Sequence, residues 1–461
     1  MTNFWDFNVW GWVLLFGMLL GGLLIGNIMK KTIPGLSQSL IPTSVIGGTV
    51  LLVFAAVYKG ITGHVLFDEV CFNSNGSAML ESITYHFLAL GFIASAYKTT
   101  DSKLSKKRGV EIFNTGVSTV CTYLIQGIIG MGITFIGAYF IKDLFPAAGL
   151  LLPFGYGQGT GQAMNYGNIY ETSFGFVGGK SFGLTIAALG FLSASLGGVI
   201  HLIYLKNKNK DIIKKREEEI IRAQEIQSAN EIPMQESVDK MSLQMALIIL
   251  AYLLAFVFMF VLGTILPGMK AVIYGFNFLL GVLATVLIKA IIRVLTKMGM
   301  IKKEYTNNFL MARACNLFFD IMVVAGIAAI RLDLLERYWG LIIILGVVGA
   351  VVTYIYNRVI AKTLFPDYAE EQFLAMYGML TGTASTGIIL LREIDPEFET
   401  PVADNLVLQN FPAIIFGFPM MLIATMAPVK PGLAYLIIIG LFVVMNVILF
   451  RSFIFKRKKK A

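Results

Sequence analysis

The chain has 461 residues, of which 56% are hydrophobic and only 14% carry a charge, and its mean hydropathy is +0.74. Soluble proteins usually carry about 25% charged residues, so this chain has too few polar residues to cover several soluble cores. The composition also weighs against a secreted disulfide scaffold and a nucleic-acid-binding protein, although the net charge of +9 alone would be compatible with the latter. A membrane-spanning helix needs about 20 apolar residues, and the chain is predicted to be an all-α polytopic membrane protein.

Apolar runs bounded by charged residues predict eleven membrane spans. The stretch MTNFWDFNVW before the first run contains no Lys or Arg. It therefore lacks the basic region of a cleavable signal peptide, and we expect the first run to be a permanent span. In chain order, the predicted spans lie near 10–29, 40–58, 80–97, 110–141, 175–204, 243–266, 271–292, 309–330, 338–360, 405–428 and 432–455.

The basic residues are distributed unevenly among the predicted loops. If the spans alternate from an outside N-terminus, the cytoplasmic loops hold 26 Lys and Arg residues and the outer loops hold six. The positive-inside rule requires this asymmetry, and the opposite orientation would violate it. The sequence thus predicts a multi-pass protein of the cell membrane with its N-terminus outside and its C-terminus in the cytoplasm. The basic run at 456–460 would lie beside the lipid headgroups.

A hydrophilic segment divides the chain in two. Residues 206–240 hold eight basic and eight acidic residues and few apolar ones, which favours a solvated linker over a regulatory or partner-docking segment. The predicted organisation is a first transmembrane repeat at 1–204, a charged cytoplasmic linker at 205–242, a second repeat at 243–428, and a C-terminal span with a basic tail at 429–461.

The two halves share one plan, which consists of four spans, a glycine-rich stretch and a fifth span. Because each half crosses the membrane an odd number of times, the halves would enter it from opposite sides. Inverted repeats of this kind are found in many secondary transporters, which bind substrate and ions near the membrane midplane. An offset of 223 residues aligns Gly155 with Gly378, Gly159 with Gly382, and Thr160 with Thr383.

The glycine-rich stretches near 150–168 and 376–392 are predicted to be re-entrant loops, because unpaired amides exposed to lipid are costly. Half-helix N-termini favour a carboxylate and unwound carbonyls suit Na⁺. The alternative is that the glycines only permit close helix packing. The candidate substrate-binding and ion-binding residues in these stretches are Gly155, Gly157, Gln158, Gly159, Thr160, Gly161, Gln162, Asn165, Gly378, Thr381, Gly382, Thr383, Ser385 and Thr386.

Three segments resemble the sodium/glutamate symporter family. They are GQGTGQA at 157–163, NLFFDIMVVAGIAAI at 316–330 and GMLTGTASTGIILLREIDPEFETPVADNLVLQN at 378–410, and the resemblance covers roughly residues 10 to 428. It implies a homodimer that imports an anionic amino acid, with L-glutamate as the expected substrate, by Na⁺ symport. It also implies an elevator-type movement of a transport core against a scaffold. The chain differs from the family in its GYGQGTGQA motif, its long linker and its eleventh span.

Two polar residues in the span near 309–330 are further candidates. Arg313, Asn316 and Asp320 are spaced three and four residues apart, so they share one face of a helix. A charge at mid-membrane is costly. Either Asn316 and Asp320 help to bind Na⁺ or gate the transport core, or they only fix helix packing.

Arg392 completes the set of candidate residues. It follows the second glycine-rich stretch and would pair with a substrate carboxylate or with the neighbouring Glu393 or Asp395. A polar stripe in the fourth span favours a helix contact over a substrate path, and its members are Glu111, Thr115, Ser118, Thr122 and Gln126.

The sequence contains no arrangement of residues typical of an enzyme. The three histidines are far apart, and no Walker A motif is present. We therefore expect a protein that is not an enzyme and has no cofactor. Na⁺ is the expected coupling ion. The expected partners are membrane lipids and an anionic substrate, but not nucleic acid. The Na⁺ ligands are not assigned. The alternatives are a carrier of another small carboxylate, an H⁺-coupled carrier, or a channel filtered by the two glycine loops.

Overall fold

The computed structural model of the protein describes residues 3–37, 39–98, 105–208, 231, 238–300, 303–396 and 399–454. Within these ranges the regular structure is helical, and Glu231 and Glu304 form an isolated β-bridge. Most of the linker predicted at 205–242 and the basic run at 456–460 lie outside the described residues.

The helices are numbered here in chain order over the described ranges. They are α1 (Phe7–Thr32), α2 (Pro34–Ser37), α3 (Thr43–Thr62), α4 (Gly76–Tyr97), α5 (Lys106–Gly137), α6 (Leu151–Phe174), α7 (Gly179–Lys208), α8 (Lys240–Ile265), α9 (Lys270–Gly275), α10 (Asn277–Lys297), α11 (Asn308–Ala328), α12 (Trp339–Leu364), α13 (Ala369–Thr381), α14 (Ala384–Arg392), α15 (Val402–Leu408), α16 (Asn410–Met426), α17 (Pro431–Leu449) and α18 (Arg451–Ile454).

Ten helical segments of the described chain are long and apolar enough to cross a membrane. The pair α15 and α16, bent by 47°, adds an eleventh if it is counted as one span. The prediction of an all-α polytopic membrane protein is confirmed at this level. The span expected at 271–292 begins only at Asn277, the first residue of α10. The preceding helix, α9, ends at Gly275, and Phe276 separates the two. The type of membrane and the orientation of the termini remain predictions.

The chain packs as two compact units. Unit 1 consists of Met1–Leu20, Phe67–Lys103 and Glu217–Gly326. Unit 2 consists of Gly21–Leu66, Leu104–Arg216 and Ile327–Ala461. Each unit draws on both halves of the sequence, so the packing groups the helices differently from the predicted repeats.

Unit 1 has an apolar core between α4, α8, α10 and α11, which includes Ile93, Ile248 and Met311. At one end of this core, Lys289 of α10 donates hydrogen bonds to backbone carbonyls at the C-terminus of α4. Its Nζ lies 3.0 Å from the oxygen of Ala96 and 3.3 Å from that of Tyr97. The last carbonyls of a helix have no partner within the helix, and Lys289 supplies one.

Glu231, in the second half of the central linker, makes polar contacts within unit 1. The carboxylate of Glu231 lies 2.6 Å from Nζ of Lys240 and 2.6 Å from Nδ2 of Asn307. Lys240 is fully buried, so its charge needs a partner of opposite sign. The ion pair therefore ties the second part of the linker to the start of α8.

Unit 2 is organised around α5, which contacts α6, α12, α16 and α17. The polar stripe predicted on this helix is buried against its neighbours. Gln126 donates to Thr353 Oγ1 of α12 at 2.9 Å, and Thr122 donates to Asn357 Oδ1 at 3.4 Å. These contacts support the helix-contact interpretation of the stripe, since Thr122 and Gln126 both have partners on another helix.

Close approach of the backbone at Gly130 of α5 yields a testable prediction. A methyl group added there would lie 2.1 Å from the carbonyl oxygen of Gly149. We expect Gly130→Ala to lower the free energy of unfolding by about 1–3 kcal/mol, as overpacking does. Thermal unfolding in detergent measures the change. The control is Gly132→Ala, where the nearest atom is Tyr435 Oη at 3.5 Å. Equal stability of the two variants would contradict the prediction.

Candidate functional site at two broken helices

Helix α6 is interrupted at a single residue, Gly159, where φ is 79° and ψ is −171°. This backbone region is essentially restricted to glycine, because a Cβ atom would clash with the neighbouring peptide groups. The stretch expected to be a loop near 150–168 is therefore helical on both sides of one break. A half-helix that begins at Thr160 follows the break, and the amides of its first turn have no partners within the helix.

The second glycine-rich stretch contains a similar break between α13 and α14. Gly382 has φ −139° and ψ −104° and ends α13. Thr383 then caps α14, because its Oγ1 accepts a hydrogen bond from the amide of Thr386 at 3.4 Å. The two helices pack tightly, and a methyl group on Gly378 would lie 2.8 Å from Cα of Gly387.

The two breaks contact each other inside unit 2. A methyl group placed on Gly159 would lie 3.5 Å from Cγ2 of Thr383 and 3.7 Å from the carbonyl oxygen of Gly382. Gly159 and Gly382 are also the residues that the 223-residue offset aligns. Two half-helices therefore begin beside this contact, and each carries a partial positive charge at its N-terminus.

Helix α5 holds the backbone on the N-terminal side of each break. Tyr123 donates its hydroxyl hydrogen to the carbonyl oxygen of Gly157 at 3.1 Å. Gln126 donates from Nε2 to the carbonyl oxygen of Leu380 at 2.9 Å. A break interrupts the regular hydrogen-bond pattern of a helix, so the carbonyls beside it need partners from elsewhere. Two residues one turn apart on α5 satisfy this need at both breaks.

Three buried polar atoms near the breaks have no hydrogen-bond partner among the described residues. They are Oγ1 of Thr160, Nε2 of Gln162 and Oε1 of Gln126. Both hydrogen bonds of Gln126 use Nε2, which leaves Oε1 3.4 Å from a methyl group placed on Gly157. An unpaired buried polar group costs about 1–3 kcal/mol. The three comprise two oxygens and one amide nitrogen.

The other predicted residues of the first stretch line or support this region. Gly155 packs against the backbone of α7, since a methyl group on it would lie 2.9 Å from the amide nitrogen of Ala187. Gly161 is buried and Gln158 is half-buried. Asn165 Nδ2 lies 3.4 Å from Oε1 of Gln162.

In the second stretch, Thr381 and Thr386 are fully buried. The hydroxyl of Thr381 donates to the carbonyl oxygen of Tyr377 at 2.6 Å, and that of Thr386 lies 3.3 Å from the hydroxyl of Thr383. The side chain of Ser385 lies outside the described part of the structure. Arg392 stands at the C-terminal end of α14, whereas the break lies at its N-terminal end.

The remaining candidates, Asn316 and Asp320, belong to unit 1, whereas both breaks belong to unit 2. Their side chains are exposed on α11, on the same face as Arg313, whose guanidinium lies 5.0 Å from the ring centre of Phe309. The helix face predicted from their spacing is therefore present. Their proposed part in binding Na⁺ stays a prediction.

The carboxylate of Asp395, one suggested partner of Arg392, has a defined structural role. It accepts hydrogen bonds from the amide of Glu399 at 2.8 Å and from the amide of Thr400 at 3.0 Å. Asp395 therefore stabilises the turn that follows α14.

Tyr123 and Gln126 were not among the candidate residues predicted from the sequence. Gln126 belongs to the polar stripe of α5, which could have signalled its importance, but Tyr123 stands outside that stripe. Gly190 of α7 was also missed. A methyl group there would lie 2.4 Å from the carbonyl oxygen of Thr381, so only glycine lets α7 pack this close to the second break.

The donor atoms at the breaks are neutral oxygens and amides. Among the described residues, no group of three or more His, Cys, Asp or Glu side chains could hold a metal ion. Hydroxyl, amide and carbonyl oxygens are hard ligands that suit Na⁺ as cargo, and half-helix N-termini suit a carboxylate. The binding of Na⁺ or of a carboxylate at the breaks stays a prediction.

A scan against protein-family models found no match, and a search of curated proteins also found none. The resemblance of the segments at 157–163, 316–330 and 378–410 to the sodium/glutamate symporter family stays a prediction from the sequence.

Substitution of Gly159 tests the importance of the first break. We expect Gly159→Ala to destabilise the protein by about 1–3 kcal/mol, because alanine is strained at this φ and ψ although there is room for its methyl group. Thermal unfolding in detergent measures the loss. Gly440→Ala in α17, with nothing within 4 Å of the added methyl group, is the matched control. A Gly159→Ala protein as stable as the control would refute the strained geometry.

Proposed function

We propose that this protein is a secondary active transporter that imports an anionic amino acid, L-glutamate in the first instance, by symport with Na⁺. The observation that carries the proposal is the contact between two broken helices at Gly159 and Gly382, beside buried and unpartnered polar atoms. Paired broken helices from inverted repeats are a recurrent way to build a substrate site inside a membrane.

In this proposal, the half-helix that starts at Thr160 and helix α14 bind the substrate carboxylates. The partial positive charges of their N-termini favour an anion in a region of low dielectric constant. Gln162 Nε2 is an additional donor. Oxygens of Thr160, Gln126 and the backbone at the breaks would coordinate Na⁺, whose charge would offset that of the substrate.

Alternating access follows if the two broken helices move together relative to a fixed scaffold, as in an elevator mechanism. We further propose that the glycine-rich stretches are re-entrant segments of two inverted repeats, that the protein is a homodimer of the cell membrane, and that its C-terminus is cytoplasmic. The equivalent positions of the two breaks support the inverted repeats, and the asymmetry of basic residues supports the cytoplasmic C-terminus. The homodimer is what the family resemblance implies.

Uptake of radiolabelled L-glutamate into proteoliposomes tests the proposed activity. We expect saturable uptake that depends on an inward Na⁺ gradient and is competed by unlabelled acidic amino acids. Gradients of Na⁺ and H⁺ are imposed separately to identify the coupling ion. Absence of Na⁺-dependent uptake of any acidic amino acid would contradict the proposal, and conductance without saturation would indicate a channel.

The hydroxyl of Thr160 provides a test at the site itself. We expect Thr160→Val to raise the concentration of substrate or of Na⁺ needed for half-maximal uptake by roughly tenfold or more. The reason is that a hydrogen bond to a charged ligand is worth about 1.5–3 kcal/mol. Thr160→Ser keeps the hydroxyl and should retain most of the uptake. Thr172→Val, at the exposed end of the same helix, is the control. If the valine and serine variants at Thr160 behave alike, the hydroxyl has no part in binding.

A further inference from the structure

A cavity of about 500 Å³ lies in unit 2, beside the two ends of α6. One wall comes from residues 143–146, which precede α6, and another from 174–177, which include its last residue. The third wall comes from the 3₁₀ helix Leu332–Tyr338, which leads into α12. Sites for small molecules usually have volumes between about 300 and 1,000 Å³, so this cavity is large enough for one.

The two ends of α6 meet at this cavity because the helix folds back at its break. Phe154 and Tyr166 are twelve residues apart, which in a continuous helix would separate them by about 18 Å. Their rings are instead stacked, with centres 3.8 Å apart. Beyond the two ends of the helix, the rings of Phe145 and Phe176 are also stacked, with centres 4.6 Å apart. The cavity therefore lies at the end of the folded helix opposite to the break at Gly159.

Aromatic side chains give the cavity a fixed shape. Phe176 and Tyr338 are buried, and their ring centres lie 5.6 Å apart. Gly178 lets the segment after α6 pack on the 3₁₀ helix, since its φ is 81° and a methyl group on it would lie 3.1 Å from Cβ of Leu334. Rings held in this way can stack on an aromatic or large apolar ligand at little cost in conformational entropy.

Two side chains of opposite charge, those of Arg337 and Asp143, line the same cavity. The residues are neighbours, because Nη2 of Arg337 donates to the backbone carbonyl oxygen of Asp143 at 3.3 Å. The guanidinium also lies over the ring of Tyr338, 4.7 Å from its centre. Within the described ranges, neither side chain forms an ion pair with the other or with a third residue. A guanidinium has five N–H donors, so donors remain for the carboxylate of a ligand.

This combination of groups matches an α-amino acid. Such a ligand carries a carboxylate and an ammonium group on one carbon atom, and the cavity offers a guanidinium and a carboxylate on neighbouring residues. A ligand with only one of the two charges would leave Arg337 or Asp143 without a counter-charge. The side chain of the ligand would contact the rings of Phe176 and Tyr338, which favours an aromatic or large apolar group over a charged one.

We propose that this cavity is a second binding site, which takes an amino acid with an aromatic or large apolar side chain. Arg337 binds the carboxylate, Asp143 binds the ammonium group, and the aromatic walls bind the side chain. The site lies at the opposite end of α6 from the break at Gly159. It therefore does not depend on the function proposed for the two breaks.

Isothermal titration calorimetry tests the proposed ligand chemistry. The probe is L-phenylalanine, added to the protein in nanodiscs of phosphatidylcholine. Two analogues serve as controls: 2-phenylethylamine lacks the carboxylate, and 3-phenylpropionate lacks the ammonium group. We expect saturable binding of L-phenylalanine and about three- to tenfold weaker binding of each analogue, because charge-assisted hydrogen bonds at a partly exposed site contribute modestly. Absence of L-phenylalanine binding, or equal binding of all three compounds, would overturn the proposal.

Substitutions assign the two charged groups. Arg337→Gln should weaken L-phenylalanine binding by about three- to tenfold. Asp143→Asn should have a similar effect, and asparagine tolerates the φ of 56° at this position. The charge-matched controls are Lys142→Gln and Glu336→Gln, at exposed residues that adjoin Asp143 and Arg337 in sequence but do not line the cavity.

The controls should bind L-phenylalanine as the wild type does. If Arg337→Gln and Asp143→Asn also bind it like the wild type, while unfolding at the same temperature, the assigned site is refuted. Loss of binding in a control as large as that in its partner variant would equally refute it.

Two further titrations separate this site from other binders of the same chemistry. Excess L-glutamate and the variant Thr160→Val should leave L-phenylalanine binding unchanged, and an effect of either would place the ligand at the breaks instead. Nanodiscs that contain anionic phosphatidylglycerol should also leave it unchanged, whereas abolished binding would assign the cavity to a lipid headgroup. Failure of the proposed transport function would abolish glutamate uptake and leave these calorimetric results intact.

Discussion

Backbone amides and carbonyls inside a hydrocarbon layer must find partners within the protein, and the arrangement of unit 2 depends on this constraint. A break in a membrane-embedded helix exposes carbonyls that the helix itself no longer satisfies. Here α5 supplies the partners, through Tyr123 to the carbonyl of Gly157 and Gln126 to that of Leu380. Because the two donors are one turn apart on one helix, the two breaks are held in a fixed relation to each other.

The proposed binding site for charged ligands would need no charged side chain at the breaks. Half-helix N-termini and neutral oxygens provide electrostatic stabilisation without a buried ionised side chain, which would be costly in the membrane. The fully buried Thr160 and Gln126 keep polar atoms available beside the breaks. A site of this kind binds an anion and a cation together more readily than either alone, since each ligand offsets the charge of the other.

Helix α13 connects two polar regions of unit 2. One end carries Glu370, held by His201 and Arg358, and the other end reaches the break at Gly382. The helix has only 13 residues, so the two regions lie close together along it.

The sequence by itself determined the all-α membrane class, most of the span positions and the two glycine-rich stretches in which the helices break. Apolar length and glycine content are local properties, so these stretches stood out without a structure, whereas the exact break positions, Gly159 and Gly382, came from the structure. Only the tertiary structure decided that the breaks touch, that Tyr123 and Gln126 hold them, and that His201 meets Glu370, which lies 169 residues further along the chain. Such contacts depend on which helix faces pack together, and spacing along one helix carries no information about its partner.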